Sequence, residues 1–581
     1  MARHRAVPDA AAHVANLSIL LTVQKATPDG VAFFFRAMTA FNGKKIFEDI
    51  VRYHEQTKHR FERYARSAGY MDWENQPNPF RFYENAKIVE LPLLTEDPPG
   101  NHADLYRRDR TPPRDFTLET IAAMLELSLG LSAWKAVGGS QWSLRMNPSS
   151  GNLHPTEAHL ILRQLPAVPA GVYHYNAFSH CLEERALIGA ALEQQITAHF
   201  GADGFLVGLS SIFWRESWKY GERAFRYCNH DVGHALAALS IAAGLFGWKA
   251  TYLNELSDDA LDTVLGFDKI QFPELEREDP DLLCFIHPHD RADIPRTLPD
   301  PVIAEFTRLT FHGMPNTLSR RRVNWQIIYR TAYLTRKPAT PPSTYVFSHA
   351  KCRHHAAGRL AAAEIIRRRR SAVAFKRSGS LEKAQFLAML DKTLPRNTCA
   401  PFDAELMHPS VHLLIFVHHV TNMTPGLYFF LRNDKDTDRL KKAADSSFLW
   451  QPIEDNFPLY FLKAGNFRQT AMTVSCHQEI AGESVFSLGM LAVFADTIDA
   501  APYRYRQLFW ETGMIGQVLY LEAEAHGVRG TGIGCFFDDA VHEIMGIRDI
   551  QYQSLYHFTV GKPIEDHRLA TLPPYAHLKN R

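Results

Sequence analysis

The chain has 581 residues, more than one hydrophobic core normally holds, so we expect two to four structural units. Hydrophobic residues make up 46% of the sequence and charged residues 22%, which excludes a disordered chain and predicts a globular protein. The 64 basic and 63 acidic side chains leave a formal charge of +1. This balance gives no general electrostatic reason to expect a nucleic acid or an anionic membrane as a partner.

The N-terminal part of the chain, residues 1–100, precedes any repeated pattern and is interpreted as a leader or cap. Its apolar run VANLSILLTV is followed by no small-residue cleavage pattern, and nowhere do eighteen apolar residues follow one another. The 7 cysteines are scattered and form no C-x-x-C pair, as expected of reduced thiols. The sequence therefore predicts a cytoplasmic protein without an export signal or a membrane span.

Short runs rich in strand-forming residues alternate with helix-length segments in the rest of the chain. The runs are AHLILR, GVYHY and LLCFI in the first half, and HLLIFV and SLYHFTV in the second half. Such alternation predicts an α+β or α/β layer architecture, and we take α+β as the fold class.

The small-residue loop RMNPSSGNLHPTEAH begins at residue 145 and separates two helical patterns. Its serines and glycine let a backbone approach a ligand closely, and its prolines hold the loop in place before a ligand arrives. The alternative interpretation is a plain interdomain turn.

Two segments of the chain match each other without a gap, residues 226–251 and residues 506–531. The matched pairs are Arg226 with Arg506, Asp231 with Glu511, Gly233 with Gly513, Gly247 with Gly527, and Thr251 with Thr531. These matches indicate a tandem duplication. Because both segments are apolar on nearly every face, each predicts a buried helix at a domain or pseudo-dimer core.

Prolines concentrate between the two halves, in HPHDRADIPRTLPDP and TRKPATPPSTY, and mark a connecting segment. We therefore expect a first repeat over residues 101–295, a linker over residues 296–350 and a second repeat over residues 351–581. The two repeats would form an internal pseudo-dimer, and the choice between a monomer and a higher homo-oligomer stays open.

A basic cluster opens the second repeat, RRRRSAVAF at residues 367–375, and RTPPRDF at residues 110–116 stands at the same place in the first. Arginines at a helix C-terminus can simply be a solvated end that suits the helix dipole. Alternatively, Arg and Ser side chains hold a phosphate, because guanidinium forks and hydroxyls match its oxygens. The recurrence of basic residues before a Phe favours the phosphate hypothesis.

Two groups of histidines, in CRHHAAG and HHV, suggest metal ligands at first sight. Neither has a second Cys or His pair at the spacing of a zinc site, so we expect no metal. His418 and His419 are expected in a strand, where they would point to opposite faces.

Taken in order, these motifs resemble the FMN-dependent nitroreductase superfamily: an R-x-S-x-R-x-F type cluster, a PSSGN type loop, a buried helix with D-x-G and a glycine-rich turn, GTGIG. Within it, NPSSGNLHPTEAHLI, WKYGERAFRYC and VGKPIEDHRL are similar to the SagB-type (ThcOx-like) dehydrogenases in their tandem form. The resemblance covers about residues 50–575 and implies two nitroreductase-like repeats with FMN as cofactor.

The resemblance implies one composite FMN site between the repeats. The second repeat lacks the PSSGN loop and the first lacks the glycine-rich turn, so each would contribute what the other has lost. The partner site would then be lost. The implied cofactor-binding residues are Pro148, Ser149, Ser150, Asn152, Arg369, Arg370, Ser371, Gly530, Gly532, Lys562 and Arg568.

Lys219 and Tyr220, in WKYGERAF, are the implied catalytic residues, which would act in proton abstraction while FMN takes a hydride. A lysine is a base near neutral pH only when burial or positive neighbours lower its pKa. Arg215 and Arg223 are close in sequence and are expected to supply that positive charge.

The resemblance thus implies a dehydrogenase that oxidises an azoline-like ring in a modified peptide or a related small molecule, with dioxygen reoxidising the flavin. Peptide-modifying proteins would be its partners. Two alternatives stay open: an NAD(P)H-dependent nitro or quinone reductase, and a non-catalytic scaffold that binds a flavin or a protein partner.

Overall fold

The computed structural model describes residues 43–291, 293–343, 360–406 and 408–578, together with residues 347, 352 and 358. The apolar run VANLSILLTV and most of CRHHAAG lie outside these residues. Within the described ranges, no helix combines the length and the apolar character needed to cross a bilayer.

Helices and strands are numbered in chain order. The helices up to residue 334 are α1 (Gly43–Gln56), α2 (Leu118–Ser128), α3 (Ala190–Phe200), α4 (Phe213–Tyr220), α5 (Ala224–Gly244), α6 (Asp258–Leu265), α7 (Asp300–Phe306) and α8 (Gln326–Leu334). Those that follow are α9 (Ala362–Arg368), α10 (Lys383–Lys392), α11 (Thr437–Ala443), α12 (Arg468–Val474), α13 (Glu479–Glu483), α14 (Ala495–Ala500), α15 (Arg504–Ala525) and α16 (Asp538–Ile544).

The strands up to residue 315 are β1 (Tyr83–Glu84), β2 (Ile88–Glu90), β3 (Leu131–Val137), β4 (Ser140–Arg145), β5 (Thr156–Leu162), β6 (Gly171–Asn176), β7 (Cys181–Leu187), β8 (Phe205–Ser211), β9 (Trp248–Tyr252), β10 (Asp279–Pro288) and β11 (Met314–Pro315). Those of the second half are β12 (Leu381–Glu382), β13 (Val411–Val417), β14 (Val420–Thr421), β15 (Gly426–Phe430), β16 (Gln451–Glu454), β17 (Phe457–Ala464), β18 (Phe486–Val493), β19 (Arg529–Ile533), β20 (Tyr552–Gly561) and β21 (Ala570–Leu572).

Two seven-stranded sheets share the order of six strands and differ in one edge strand, which is β2, from ahead of the first repeat, in one sheet and β16, from within the second repeat, in the other. The first runs β2, β7, β6, β5, β8, β10, β9, and the second runs β16, β17, β15, β13, β18, β20, β19. Every neighbouring pair in both sheets is antiparallel. The matching order confirms the duplication and the α+β class, because antiparallel sheets covered by helices define that class. The five predicted strand runs lie in β5, β6, β10, β13 and β20.

The two matched helices, α5 and α15, cross at the centre of the molecule. Every residue of α5 is buried, and α15 is buried from Tyr505 onward. A Cβ on Gly233 would lie 2.1 Å from the carbonyl oxygen of Trp510, and one on Gly513 would lie 2.2 Å from that of His230. The backbones therefore touch where glycines replace side chains, which explains why this pair is matched in the two repeats.

A second pair of matched glycines ends the central helices. Gly247 follows α5 with φ of 74°, and Gly527 follows α15 with φ of 68°. Both lie in the left-handed region, where glycine avoids the strain that a Cβ would cause. Each turn leads directly into the edge strand of its sheet, β9 or β19.

Segments outside the repeats complete the packing. β2 lies within the predicted leader, yet it pairs with β7 as an edge strand of the first sheet. The linker region carries α7 and α8. After β20 the chain crosses to the first repeat, where β21 pairs with β3.

His418 and His419 lie just past the end of β13, so the expectation that they stand in a strand is wrong.

Candidate functional site

A cavity of about 500 Å³ lies between the two repeats and is called the composite cavity. Residues 147–152 of the first repeat line it, together with residues 369–373 and 531–535 of the second. The serine-rich loop and the arginine cluster, far apart in sequence, therefore face the same space. Its volume falls in the range typical of cofactor and small-molecule pockets, roughly 300–1,000 Å³.

The loop at Pro148–Asn152 is held by its own hydrogen bonds. The backbone N–H of His154 donates to the Ser149 hydroxyl at 2.8 Å, and the Asn152 side-chain amide donates to the Ser143 carbonyl at 2.8 Å. Gly151 has φ of 60°, in the left-handed region. The loop is thus preformed, with small side chains at the cavity wall.

Lys219 and Tyr220, at the end of α4, pack directly against this loop. A Cβ on Gly151 would lie 2.6 Å from the Tyr220 hydroxyl and 3.1 Å from Lys219 Nζ. Tyr220 lines the composite cavity. Gly151 is therefore needed to let both polar groups reach the loop.

The two arginines expected to influence Lys219 are engaged elsewhere. Arg215 pairs with Glu157, and Arg223 Nη1 lies 2.8 Å from Asp538. Each arginine is held by a buried carboxylate, and its effect on Lys219 stays a prediction.

Glu216 lies one turn before Tyr220 on α4 and was missed by the sequence analysis. It is fully buried, and neither carboxyl oxygen has a hydrogen-bond partner among the described residues. Burial raises its pKa well above the usual value, with the Asp231 charge adding to the effect and Lys219 opposing it. Burial therefore favours the protonated form of Glu216. The i, i+3 and i, i+4 spacing in WRESWKY was the available signal.

Asp231 connects the central helix α5 to the loop. One carboxyl oxygen accepts from the Ser150 backbone N–H at 3.1 Å and from its hydroxyl at 3.2 Å. The other oxygen is buried and has no hydrogen-bond partner among the described residues. Burial raises the pKa of Asp231 to about 7, while the two serines oppose the shift. The sequence revealed Asp231 only as a matched position, not as a group at the cavity.

Arg369 of the second repeat anchors the loop region of the first. Its Nε donates to the Met146 carbonyl at 3.0 Å and its Nη2 to the Arg145 carbonyl at 2.9 Å. Arg370 donates to the Ser132 carbonyl at 3.0 Å. Both arginines line the cavity, and the Glu524 carboxylate acts on them without a close ion pair among the described residues.

The adjacent positive charges disfavour one another. Burial lowers the pKa of Arg370 to about 10, and the neighbouring Arg369 charge adds to the effect. Burial also lowers the pKa of Lys135, with Arg370 as a further cause. Because an anion would relieve this repulsion, this part of the composite cavity is suited to a phosphate.

The glycine-rich turn lies beside the arginines. The Ser371 hydroxyl is 2.8 Å from the Tyr520 hydroxyl, which also accepts from the Gly532 backbone N–H at 2.8 Å. A Cβ on Gly532 would lie 1.9 Å from the Tyr556 hydroxyl. Gly532 lines the cavity, whereas Gly530 packs behind it against Phe558.

The structure does not bring Lys562 and Arg568 to the cavity. Lys562 Nζ donates to the Gly527 carbonyl at 2.9 Å, and exposed Arg568 pairs with Asp566 at 2.8 Å. The tail reaches the cavity through other residues, Ile564, Glu565, Asp566 and Leu569. The path of the chain from β20 to β21 determines which side chains face inward, and sequence spacing did not reveal it.

A second cavity, of about 670 Å³, occupies the related position on the other side and is called the opposite cavity. Residues 106–109 and 396–400 line it, and Lys249 on β9 stands where Arg529 stands on β19. Arg108 makes two bonds to Asp403, at 2.8 and 2.9 Å. A space therefore persists at the partner position, but its buried arginine already has a carboxylate.

One cluster of metal-ligating residue types lies elsewhere, formed by His102, Glu522 and His526. His102 Nδ1 accepts from the Gly358 backbone N–H at 2.8 Å, so the ring proton lies on Nε2, which donates to Glu522 at 2.7 Å. A metal would need that Nε2 unprotonated. The hydrogen bonds instead describe a structural His–Glu contact.

Comparison with known proteins agrees with this architecture. The model of the nitroreductase family matches residues 109–275 and 366–562. A crystal structure of a nitroreductase-like chain from Anabaena variabilis aligns with a TM-score of 0.64 and 21% identity, covering 89% of this chain and 99% of that one. At that identity the alignment shows the fold alone.

Two curated relatives match over parts of the chain. Trifolitoxin-processing protein TfxB of Rhizobium leguminosarum bv. trifolii is 25% identical over 211 residues, 34% of this chain and 57% of that protein. A protein of Methanocaldococcus jannaschii named as a nitroreductase is 31% identical over 123 residues, 19% of this chain and 61% of that protein. The matched part of this chain thus covers less than two thirds of the length of either relative. With two family matches and two sheets that share the order of six strands, the chain belongs to the nitroreductase family, with two copies of its fold in tandem.

Proposed function

We propose that the protein is an FMN-dependent oxidoreductase of the SagB type, with one flavin in the composite cavity. The observation that carries the proposal is the meeting of the Pro148–Asn152 loop with Arg369 and Arg370 in one space between the repeats. Family membership supports an oxidoreductase.

The residues present fit FMN. The cations at one end, Lys135, Arg369 and Arg370, suit its phosphate. The loop backbone and the glycine at position 532 offer flat, close-approaching walls for a ring system. The unpartnered carboxyl oxygen of Asp231 offers an acceptor to a ring N–H.

Bound there, the flavin would supply two-electron chemistry as the acceptor of a hydride from the substrate. Lys219 Nζ would take the proton that leaves with that hydride, and the Tyr220 hydroxyl would orient the reacting group. Glu216, whose protonated form is favoured by burial, adds no competing negative charge at the site in that form. Asp231 holds the loop through Ser150 and so keeps this part of the cavity wall in place beside α4.

For substrate, we propose an azoline-like ring in a modified peptide or a related small molecule. The resemblance to SagB-type dehydrogenases supports this class, as does similarity to a protein named for trifolitoxin processing. Peptide-modifying proteins are the proposed partners, and the cytoplasm, where thiols stay reduced, is the proposed location. The competing function is an NAD(P)H-dependent nitro or quinone reductase, which the relative from M. jannaschii favours.

A flavin titration and a turnover assay together test the proposal. We expect the purified protein to bind one FMN per chain, with a yellow absorbance spectrum, and Lys219→Ala to keep the flavin while turnover of an azoline peptide is lost. If Lys219→Ala lost its flavin together with its turnover, the assigned roles would be contradicted. Rapid reduction of the bound flavin by NADPH would favour the reductase. A protein that takes up no FMN would exclude both.

A further inference from the structure

Two cysteines meet at one end of the composite cavity. Cys535 follows the glycine-rich turn and lines the cavity, and Cys476 follows α12. The Phe537 backbone N–H donates to the Val474 carbonyl at 2.8 Å, and the Gln478 side chain donates to the Cys535 carbonyl at 2.9 Å. These bonds hold the two segments side by side. Both cysteines are free thiols and only partly buried, and each is the largest influence on the pKa of the other.

The two sulfurs of the pair have different surroundings. His59 Nδ1 accepts from the Ala65 backbone N–H at 2.9 Å, so the ring proton of neutral His59 lies on Nε2, and the ring is close enough to Cys535 to influence its pKa. Arg223 donates to the carbonyl of Gly534, next to Cys535, at 3.1 Å. Donor groups and positive charge thus converge on the sulfur that lines the cavity.

The contact with Cys476 is the largest influence that lowers the pKa of Cys535 below its usual value. His59 and Arg223 act in the same direction, and burial opposes them. The same contact raises the pKa of Cys476, because its proton is held between the sulfurs. The pair therefore combines a thiolate with a neighbouring thiol, the arrangement of attacking and resolving cysteines.

We propose that Cys535 and Cys476 form a redox-active pair that reduces hydrogen peroxide in the composite cavity, with Cys535 attacking and Cys476 resolving. The Cys535 thiolate forms a bond to one peroxide oxygen while the O–O bond breaks, and hydroxide leaves and is protonated to water. The Cys476 sulfur, losing its proton, then attacks the sulfenic sulfur, and the second oxygen leaves as water. Two thiols lose two electrons and two protons, and a small external thiol returns the disulfide to its reduced form.

The inference rests on the proposed function only for the source of peroxide, since dioxygen that reoxidises a flavin is reduced to hydrogen peroxide. The reaction itself needs only the two cysteines and added peroxide. It can therefore be tested on protein stripped of flavin, so that failure of one proposal does not entail failure of the other.

The experiment treats flavin-free protein with one equivalent of hydrogen peroxide at neutral pH, then alkylates free thiols and maps peptides by mass spectrometry. We expect a Cys476–Cys535 disulfide, formed about tenfold or more faster than oxidation of Cys399 in the opposite cavity. Cys476→Ser should stop at a sulfenic acid on Cys535 that dimedone traps. Cys535→Ser should consume peroxide slowly, while the control Cys399→Ser should behave like the unmodified chain.

Oxidation of Cys535 no faster than of Cys399, or a stable dimedone adduct on Cys535 with Cys476 present, would overturn the proposal. The mapping of the unmodified chain decides the question even if a serine variant fails to fold. A chain that binds FMN but forms no disulfide refutes the pair alone. A chain that forms the disulfide but binds no FMN refutes the proposed function alone.

Discussion

The composite and opposite cavities occupy related positions in a duplicated fold, yet they differ in how their charges are balanced. In the composite cavity Arg369 and Arg370 donate to carbonyl oxygens, and the Glu524 carboxylate acts on both without a close ion pair among the described residues. In the opposite cavity Arg108 is paired with Asp403, and Arg107 lies 2.7 Å from Asp109. The difference shows that after duplication one interface holds its arginines without close carboxylate pairs among the described residues, while the matching arginines of its twin are paired.

The helices beside the two cavities also differ, because only one of them carries a Lys–Tyr pair. In the first repeat α4 brings Lys219 and Tyr220 against the loop, which Gly151 makes possible. At the matching place in the second repeat stands the short helix α14, with no Lys–Tyr pair. Once both sites are in one chain, each copy can lose the half that its neighbour supplies.

The matched acidic residues of the central helices offer the largest contrast in stability. Glu511 pairs with buried Arg432 and accepts from the Ser410 backbone N–H at 3.0 Å, whereas Asp231 has no cation. Glu511→Gln should lower the free energy of unfolding by about 3 kcal/mol, because it leaves a buried arginine unpaired. Thermal unfolding of both variants, Glu511→Gln and Asp231→Asn, checks the contrast.

Asp231→Asn should raise the free energy of unfolding, whereas Glu511→Gln lowers it. The size of the Asp231→Asn effect should depend on pH. The native pKa of about 7 exceeds the unfolded value of 3.8, so the native state holds its proton more tightly. Stability therefore falls as pH rises between these values and stays lower above pH 7. Asn cannot ionise, so the melting temperature of this variant should change less between pH 5 and pH 8. An unchanged pH dependence would contradict the raised pKa.

The next largest effect concerns FMN affinity and tests the asymmetry of the basic clusters. Arg369→Ala should weaken FMN binding about a hundredfold, because it removes a buried charge and two bonds to the loop region. Arg110→Ala, in the matching cluster RTPPRDF, is the control and should leave affinity unchanged because Arg110 is exposed. Fluorescence titration with FMN measures both. Equal losses would show that the cavities are not specialised as proposed.

The smallest expected effect tests the contribution of the loop across the interface. Ser150→Ala, or a change at Ser149, should reduce FMN affinity about tenfold, since Asp231 would lose a hydrogen bond and the loop an anchor. Thr398→Ala, in the opposite cavity, is the control and should have no effect. Binding unchanged by the loop variants would argue against a site composed from both repeats.

Much of the architecture was accessible from the sequence because it depends on local and repeated patterns. The gap-free match of residues 226–251 with residues 506–531 predicted two buried helices, and the glycines at 233 and 513 lie where their backbones touch. Small residues around Pro148 predicted a close-approach loop. These features follow from side-chain size and apolar periodicity, which can be read along the chain.

Groups whose roles depend on distant neighbours could not be inferred in this way. Glu216 and Asp231 are ordinary acids in sequence, and only burial in the folded chain raises the pKa of both. Lys562 and Arg568 were wrongly expected at the cavity, because the crossing of the tail to β3 orients them away. The contact of Cys476 with Cys535 had no sequence signal either.

By itself, the sequence determined the duplication, the α+β class and the identity of the loop and arginine cluster, since each is a property of residue type and order. The resemblance predicted a composite site, and only the tertiary structure decided that the loop and the arginine cluster line one cavity. It also decided which charges are compensated, because desolvation and pairing depend on what surrounds a group in space.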